Sequence, residues 1–242
     1  MGQLSEMTAV VIGAGRGLGR AVALGFAREG ASLILCDHTV EELDETANEI
    51  GRDDVRVYRF DLADRSACRR FVTTVLEERP GVDVLVNNAA VLPFTLFETT
   101  TDREWDETLA VNLTGARLLI QGFLPAMRER GGSVINVSSR AGISGFPKET
   151  SYCASKFALE GLTRALAVEI SGEPVSINTI TPGLRIKPTM MTAREEAALA
   201  PSEKNWGPSE RLVPAFVLLA LARGEPSGRR FDAGELLEEL RR

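Results

Sequence analysis

Histidine is almost absent from this sequence, since His38 is the only one among 242 residues. A zinc site or a serine hydrolase triad would have to be built around that single imidazole. The three cysteines, Cys36, Cys68 and Cys153, show no Cys-x-x-Cys spacing. We therefore predict no metal site, and we interpret Cys153 as a packing residue. An odd number of cysteines without an export signal favours reduced thiols and a cytoplasmic protein.

Long apolar runs are also missing, because no window approaches the roughly 18 uninterrupted apolar residues of a membrane-spanning helix. The formal net charge is −6, and the basic residues are dispersed rather than gathered into a run. A nucleic-acid surface needs a face of Lys and Arg. We therefore expect neither a nucleic acid nor a membrane as partner, and chemistry on a small molecule fits better.

A regular alternation of short apolar runs and longer helical patterns is what the sequence does contain. The runs lack polar alternation, which is typical of parallel strands that are covered on both faces. This predicts an α/β protein with a single Rossmann-type, doubly wound parallel sheet. No Pro/Gly/Ser-rich linker or repeat interrupts it, so we interpret residues 1–242 as one domain. The runs are TAVVIG, SLILCD, VRVYRF, VDVLVNN, SVINVSS and VSINTI.

The least regular stretch is residues 184–210, which follows the last predicted strand. The segment PTMMTAREEAALA within it predicts a small helix between loops. Its position after a strand end favours a lid that covers a ligand. The alternative is a simple surface excursion.

A glycine cluster, VVIGAGRGLGRAV, joins the first predicted strand to the first predicted helix. Its G-x-x-x-G-x-G spacing places Gly13, Gly17 and Gly19 where the backbone can approach a pyrophosphate. Gly15 supplies an overlapping G-x-G, and Leu18 lies in the same loop. The amides at the start of the following helix would face the negative charge. This predicts a dinucleotide site.

Asp37 closes the second predicted strand, 18 residues after Gly19. Its carboxylate is placed to accept hydrogen bonds from an adenosine ribose, or alternatively to cap the helix near Thr39. A 2′-phosphate at 4 Å would be repelled by on the order of 4 kcal/mol at an effective dielectric near 20. Asp37 therefore favours NAD over NADP. Arg16 argues for NADP, because a guanidinium can pair with that phosphate, unless it forms a surface salt bridge instead.

Two further strand ends carry candidate residues for the adenosine side of the cofactor. Asp61 and Leu62 follow the third predicted strand. Asn87, Asn88 and Ala89 follow the fourth. In a parallel sheet these ends share one edge, so we expect them near the glycine loop.

Six motifs occur in a fixed order over about residues 7 to 185: the glycine motif at 13–19, NNAA at 87–90, VNLTG at 111–115, INVSSRAG at 135–142, YCASK at 152–156 and NTITPG at 178–183. Together they resemble the short-chain dehydrogenase/reductase family. The resemblance implies an NAD(P)-dependent oxidoreductase that interconverts a secondary alcohol and a ketone. It also implies a homodimer or homotetramer.

The resemblance implies a catalytic group of Asn112, Ser139, Tyr152 and Lys156. Tyr152 would donate or accept the substrate proton, and Ser139 would hold the substrate oxygen. A phenol of pKa near 10 needs roughly 4 kcal/mol of differential stabilisation to fall by three units. Lys156 would lower that pKa together with the oxidised nicotinamide, and would grip the nicotinamide ribose. Asn112, in the middle of a long predicted helix, would organise a water that connects Lys156 to solvent.

The resemblance also gives Pro182 and Gly183 the wall beside the nicotinamide, whereas Ser138 is interpreted as structural. Lys187 stands where the family often has a Thr, so Thr189 is the alternative for that contact. Lys187 is otherwise a solvated loop lysine or a partner for an anionic substrate.

Three further features depart from the family pattern: Ile12 replaces a Thr, Ala90 replaces a Gly, and the C-terminal SGRRFDAGELLEELRR replaces a glycine-rich ending. We expect that ending to form a charged amphipathic helix that serves subunit packing or caps the sheet. Two other functions stay open. They are an NADPH-dependent carbonyl reductase of the 3-oxoacyl type, and a nucleotide-binding protein of this fold without catalysis.

Overall fold

A seven-stranded sheet forms the centre of the protein, in a computed structural model that describes residues 2–183, 186–187, 197, 199–200 and 204–239. The strands are β1 (Thr8–Ile12), β2 (Ser32–Asp37), β3 (Val55–Arg59), β4 (Val84–Asn87), β5 (Gly132–Val137), β6 (Val175–Thr181) and β7 (Arg230–Asp232). Their order is β3-β2-β1-β4-β5-β6-β7, and each neighbouring pair is parallel. The predicted Rossmann-type sheet is confirmed.

Helices cover both faces of the sheet. One apolar core packs beneath α1, α2, α7 and α8, and a second beneath α3, α5 and α6. The helices are α1 (Gly17–Arg28), α2 (Val40–Ile50), α3 (Arg65–Glu78), α4 (Asp102–Leu109), α5 (Ala116–Arg130), α6 (Thr150–Glu169), α7 (Val213–Ala220) and α8 (Ala233–Glu239). The chain is thus wound on both sides of the sheet, as doubly wound folds require.

Strand β1 shows why the sequence lacks polar alternation. Successive side chains of a strand point to opposite faces. Ala9 and Val11 lie in one core, while Val10 and Ile12 lie in the other. Since both faces are buried, apolar residues are favoured at every position of such a strand.

The long helix that was predicted through Met127 is interrupted. A π-helical segment, Ala110–Gly115, separates α4 from α5, and Asn112 lies inside it. Such segments are rare and occur mostly at functional sites. The hydrophobic period of the sequence does not reveal one extra residue in a turn, so the sequence did not predict this break.

The C-terminal region also differs from the single amphipathic helix that was expected. Arg230–Asp232 forms β7, which pairs with β6, and only then does α8 begin. Asp232 Oδ1 accepts hydrogen bonds from the backbone N–H groups of Gly234 and Glu235, at 2.9 and 3.2 Å. A three-residue strand is too short to show a period, so tertiary pairing decided it.

The carboxyl ends of the parallel strands meet along one edge of the sheet. The chain winds outward in both directions from β1 and β4, so the crevice between these two strands is where ligands of such sheets bind. Most of the predicted lid lies outside the described residues, as does Thr189. Among the residues described there, Ile186 forms an isolated bridge with Gly207. None of the helices that the structure describes is long and apolar enough to cross a membrane.

Candidate active site

The glycine loop between β1 and α1 forms a tight cradle. Gly13 and Gly17 have φ of +77° and +56°, a region that favours glycine. A Cβ on Gly19 would lie 1.8 Å from the carbonyl oxygen of Gly13. No side chain caps the start of α1, so the amides of its first turn remain for a ligand. A close-approaching backbone and uncapped amides fit a pyrophosphate.

Neighbouring strands hold this loop in place. The N–H groups of Gly13 and Ala14 donate to the Cys36 carbonyl, at 2.8 and 3.0 Å. Asn88 Nδ2 donates to the Gly13 carbonyl at 2.9 Å, and Ala89 N–H donates to the Ile12 carbonyl at 3.1 Å. Asn88 and Ala89 therefore shape the cradle from the side of β4.

Leu18 and Asn87 turn away from the proposed cofactor. The Leu18 side chain is buried in the core beneath α1, so only its backbone N–H can meet a ligand. Asn87 Nδ2 donates to Asn136 Oδ1 at 2.8 Å across β4 and β5. This bond gives Asn87 a structural role inside the sheet, and its role as an adenosine contact stays a prediction.

Replacing Gly19 with Ala is expected to lower the free energy of unfolding by about 1–3 kcal/mol, because the new methyl group overpacks the loop. The Gly13 carbonyl has to move, which spreads the cradle and weakens dinucleotide binding. Urea unfolding and NADH titration measure the two effects. Gly161→Ala is the matched control, since a Cβ there meets nothing within 4 Å. Equal stability of both variants would contradict the close approach.

Asp37, at the end of β2, binds the backbone on both sides of it. Its Oδ2 accepts from Gly15 N–H at 2.9 Å. Its Oδ1 accepts from the N–H groups of His38 and Thr39, at 2.7 and 3.4 Å. Thr39 is the residue before α2, so the structural alternative for Asp37 holds. Among the described residues, Oδ2 accepts only the hydrogen bond from Gly15, so its second lone pair leaves capacity for a ribose hydroxyl.

Arg16 of the glycine loop forms a salt bridge with Glu42. Its Nη1 lies 3.3 Å from Glu42 Oε1, on the first turn of α2. The alternative of a surface salt bridge is therefore realised.

Beyond β3, Asp61 lines an open cavity of about 450 Å³ together with Arg103 and Asp106. Leu62 packs against the core beneath α3 and α5.

Tyr152 and Lys156 lie in the first turns of α6, and Lys156 Nζ is 5.5 Å from the centre of the Tyr152 ring. Ser139 precedes the 3-10 turn Arg140–Gly142, and its hydroxyl accepts from Ala141 N–H at 3.1 Å. It lies close enough to Tyr152 to lower the pKa of the phenol. Lys156 Nζ donates to the Val137 carbonyl at 2.8 Å. The fold thus brings three of the four predicted catalytic groups together at the carboxyl end of β5.

The pKa values of this pair move in opposite directions. Burial raises the pKa of Tyr152 to about 12, although the nearby Ser139 side chain lowers it in part. Burial also lowers the pKa of Lys156 to about 8, and the charge of Glu160 raises it in part. The expected lowering of the phenol pKa by Lys156 is therefore not found in the protein alone. Removing both groups from water disfavours the charged form of each.

Asn112 connects two parts of the site through its side chain. Its Oδ1 accepts from Val91 N–H at 2.8 Å, and its Nδ2 donates to the Val91 carbonyl and to Ser155 Oγ, at 2.9 and 3.0 Å. Ser155 Oγ in turn donates to the Tyr152 carbonyl at 2.7 Å. Both N–H groups of the amide are thereby used. The geometry makes Asn112 a positioning residue, and its role toward a water stays a prediction.

A buried carboxylate below the catalytic group was not predicted from the sequence. Glu160, one turn after Lys156, has a side chain that is only 3% exposed. Its Oε1 accepts from Ser138 Oγ and Arg230 Nη1, both at 2.6 Å, and its Oε2 accepts from Thr179 Oγ1 at 2.9 Å. Arg230 Nη1 also lies 3.3 Å from the Ser139 carbonyl. The only signal in the sequence was the position of Glu160 four residues after Lys156, on the same stripe of the helix.

The other residues that were singled out from the sequence have the following surroundings. Ser138 is structural, as interpreted from the sequence, because its hydroxyl binds Glu160. Cys153 Sγ donates to the Ser144 carbonyl at 3.7 Å. Pro182 and Gly183 follow β6, and a Cβ on Gly183 would meet Asp232 Oδ1 at 1.6 Å. Lys187 is exposed. In the part of the chain that is described, no three His, Cys, Asp or Glu side chains are grouped to hold a metal ion.

Comparisons with known proteins agree with this geometry. The family model for short chain dehydrogenases matches residues 7–199. The 3-oxoacyl-acyl-carrier-protein reductase FabG of Thermotoga maritima is 34% identical over 234 residues, which cover 93% of this chain and 94% of the relative.

Solved structures superpose over nearly the whole chain. Carveol dehydrogenase from Mycobacterium avium in complex with NAD has a TM-score of 0.83 and 27% identity, and covers 98% of this chain and 100% of its own. A metagenomic short-chain oxidoreductase in complex with NADP has a TM-score of 0.79 and 31% identity, with coverages of 95% and 97%. The chain therefore belongs to the short-chain dehydrogenase family and is a nicotinamide-dependent oxidoreductase that interconverts alcohols and ketones.

Proposed function

We propose that the protein is an NAD-dependent dehydrogenase or reductase in which Tyr152 transfers the substrate proton. The observation that supports this most directly is the cluster of Ser139, Tyr152 and Lys156 at the carboxyl end of β5. The glycine cradle lies at the same edge of the sheet, where a dinucleotide would place its nicotinamide beside the phenol. A bound nicotinamide supplies the hydride acceptor or donor.

Tyr152, Ser139 and Lys156 have different roles in the proposed reaction. With a pKa of about 12 the phenol of Tyr152 is protonated at neutral pH, so it is ready to donate its proton to the oxygen of a ketone. Ser139 holds that oxygen by a hydrogen bond. The ammonium of Lys156 uses one of its three donors on Val137. The other two donors would be available to the ribose of a bound nicotinamide, and the positive charge would stabilise the phenolate that forms.

The preference for NAD rests on Asp37. Its carboxylate lies beside Gly15 at the adenosine end, and a 2′-phosphate there meets like charge. The metagenomic relative with NADP and the Mycobacterium avium relative with NAD show that proteins of this fold use either cofactor. We infer that this chain uses NAD.

Two exposed apolar side chains support a substrate that has an apolar part. Phe94 and Ile143, from the loops after β4 and β5, are 62% and 52% exposed. Lys148 Nζ lies 5.3 Å over the Phe94 ring and links the two loops.

We also propose a homodimer or homotetramer. On α6, Phe157 and Val168 expose apolar surface that a second subunit can cover.

A second candidate is an NADPH-dependent reductase of the 3-oxoacyl type. It is favoured by the 34% identity to the Thermotoga maritima reductase over almost the full chain. Arg16 is the residue that such a preference would need. A nucleotide-binding protein without catalysis is disfavoured, because the described contacts of Asn112, Ser139, Tyr152 and Lys156 are intact.

Absorbance at the nicotinamide band tests the proposal. The protein is assayed with secondary alcohols and NAD or NADP, and with ketones and the reduced cofactors. We expect turnover with at least one alcohol or ketone and a higher kcat/KM for NAD than for NADP. Turnover confined to NADP would contradict the NAD preference. Calorimetric binding of NAD without turnover across the panel would instead support the non-catalytic alternative.

A further inference from the structure

Glu42 stands between the glycine loop and the adenosine end of the cradle. It lies in the first turn of α2, and its Cβ would be 3.0 Å from a Cβ built on Gly15. Asp37 Oδ2 would be at the same distance of 3.0 Å from that Cβ. Two carboxylate side chains thus flank one residue of the loop.

The two oxygens of Glu42 have different environments. Oε1 lies 3.3 Å from Arg16 Nη1. Oε2 is buried, and it has no hydrogen-bond partner among the described residues. A buried acceptor without a donor is costly, so a hydroxyl group that reaches it is favoured over an anion.

Helix α2 is also fastened to the loop next to Glu42. Thr46 Oγ1, one turn later, contacts the carbonyls of Ala14 and Gly15 at 3.1 and 3.2 Å. Thr46 is fully buried. Glu42 is therefore held at a fixed position against the loop that carries Arg16.

From this arrangement we propose that Glu42 is a second determinant of cofactor choice, which acts by engaging Arg16. Arg16 is the cation of the loop that could pair with a 2′-phosphate. While its guanidinium pairs with Glu42, the local charge of the group is balanced, and Asp37 adds a negative charge beside it. The inference rests on the proposed function, because it requires that the loop binds a nicotinamide dinucleotide.

Binding measurements on variants test this directly. NADH and NADPH are titrated by the fluorescence of the reduced nicotinamide, and AMP and 2′-phospho-AMP by calorimetry. In Glu42→Gln we expect the ratio of Kd for NADPH to Kd for NADH to fall about tenfold, because a weak ion pair and a repulsive charge are both removed. The two adenosine nucleotides are expected to shift in the same direction.

A matched control exists on the same helix. Glu45 Oε2 pairs with Arg20 Nη1 at 3.3 Å, the distance of the Glu42 pair, and Gly15 has no close contact with it. Glu45→Gln should leave the ratio unchanged. Glu42→Ala serves as a second variant, and thermal midpoints identify any variant that has lost its fold.

A double-mutant cycle separates the role of Arg16. Arg16→Gln should change the Kd for NADPH little in the parent and should abolish the gain in the Glu42→Gln background. An unchanged ratio in Glu42→Gln, with NADH still bound, overturns the role of Glu42 and leaves the proposed function intact. If the ratio of Kd for NADPH to Kd for NADH is as low in the double variant as in Glu42→Gln alone, Glu42 does not act through Arg16. A parent that binds neither dinucleotide overturns the proposed function and this inference together.

Discussion

Replacing Tyr152 with Phe is expected to lower kcat by about 10²–10⁴-fold, which is the usual contribution of a positioned acid or base. The change removes one oxygen and keeps the ring, so the contact with Lys156 Nζ at 5.5 Å from the ring centre is preserved. The Kd for NADH should stay within about threefold of the parent, because Lys156 and the glycine loop remain. Initial rates and NADH titration measure the two quantities.

The chain contains a matched control for this substitution. Tyr58 is the other of its two tyrosines, and its hydroxyl binds Glu78 Oε2 at the surface. Tyr58→Phe should leave kcat unchanged, since β3 is remote from β5 in the sheet order. Activity that survives in Tyr152→Phe at the level of Tyr58→Phe would remove the proton-transfer role from Tyr152.

Replacing Glu160 with Gln is expected to lower the free energy of unfolding by about 3 kcal/mol. Removing one partner of a buried ion pair costs roughly 3–5 kcal/mol, because the other charge stays behind without compensation. The Arg230 side chain is 20% exposed, so it retains some contact with solvent. We therefore expect a loss at the lower end of this range of roughly 3–5 kcal/mol. Urea unfolding followed by circular dichroism gives the value.

Two further variants make this result specific. Glu169→Gln, at the exposed end of α6, should change stability by less than about 0.5 kcal/mol. Glu160→Gln combined with Arg230→Gln should be less destabilised than the sum of the single changes, by about 0.5–3 kcal/mol for groups in contact. Strict additivity would show that the two side chains do not stabilise each other.

Much of the fold was predictable because burial on both faces leaves a strong pattern. In the strand Thr8–Ile12 the four residues after Thr8 are apolar, and their side chains fill both cores. The glycines at 13, 17 and 19 were predictable for a related reason, since a Cβ on Gly19 would meet the backbone at 1.8 Å. A local constraint of this kind leaves few residue types possible.

The parts that were missed depend on partners far away in sequence. The π-helical segment around Asn112 is accompanied by hydrogen bonds to Val91 and Ser155. Strand β7 forms because β6 offers an edge. A lowering of the Tyr152 pKa was expected from Lys156 together with the oxidised nicotinamide; in the protein without the cofactor, burial raises this pKa to about 12. The pattern of a sequence does not predict how deeply a side chain is buried.

By itself the sequence determined the doubly wound sheet, the cofactor loop and the identity of Asn112, Ser139, Tyr152 and Lys156 as the candidate catalytic group. The sheet and the cofactor loop follow from local rules of burial and backbone geometry, whereas the catalytic group follows from the resemblance of its motifs to the short-chain dehydrogenase family. The tertiary structure alone decided how the charges are paired. Glu160 meets Arg230 across 70 residues, and Arg16 meets Glu42 across 26. Ion pairs depend on distance and dielectric, and both are set only when the chain has folded.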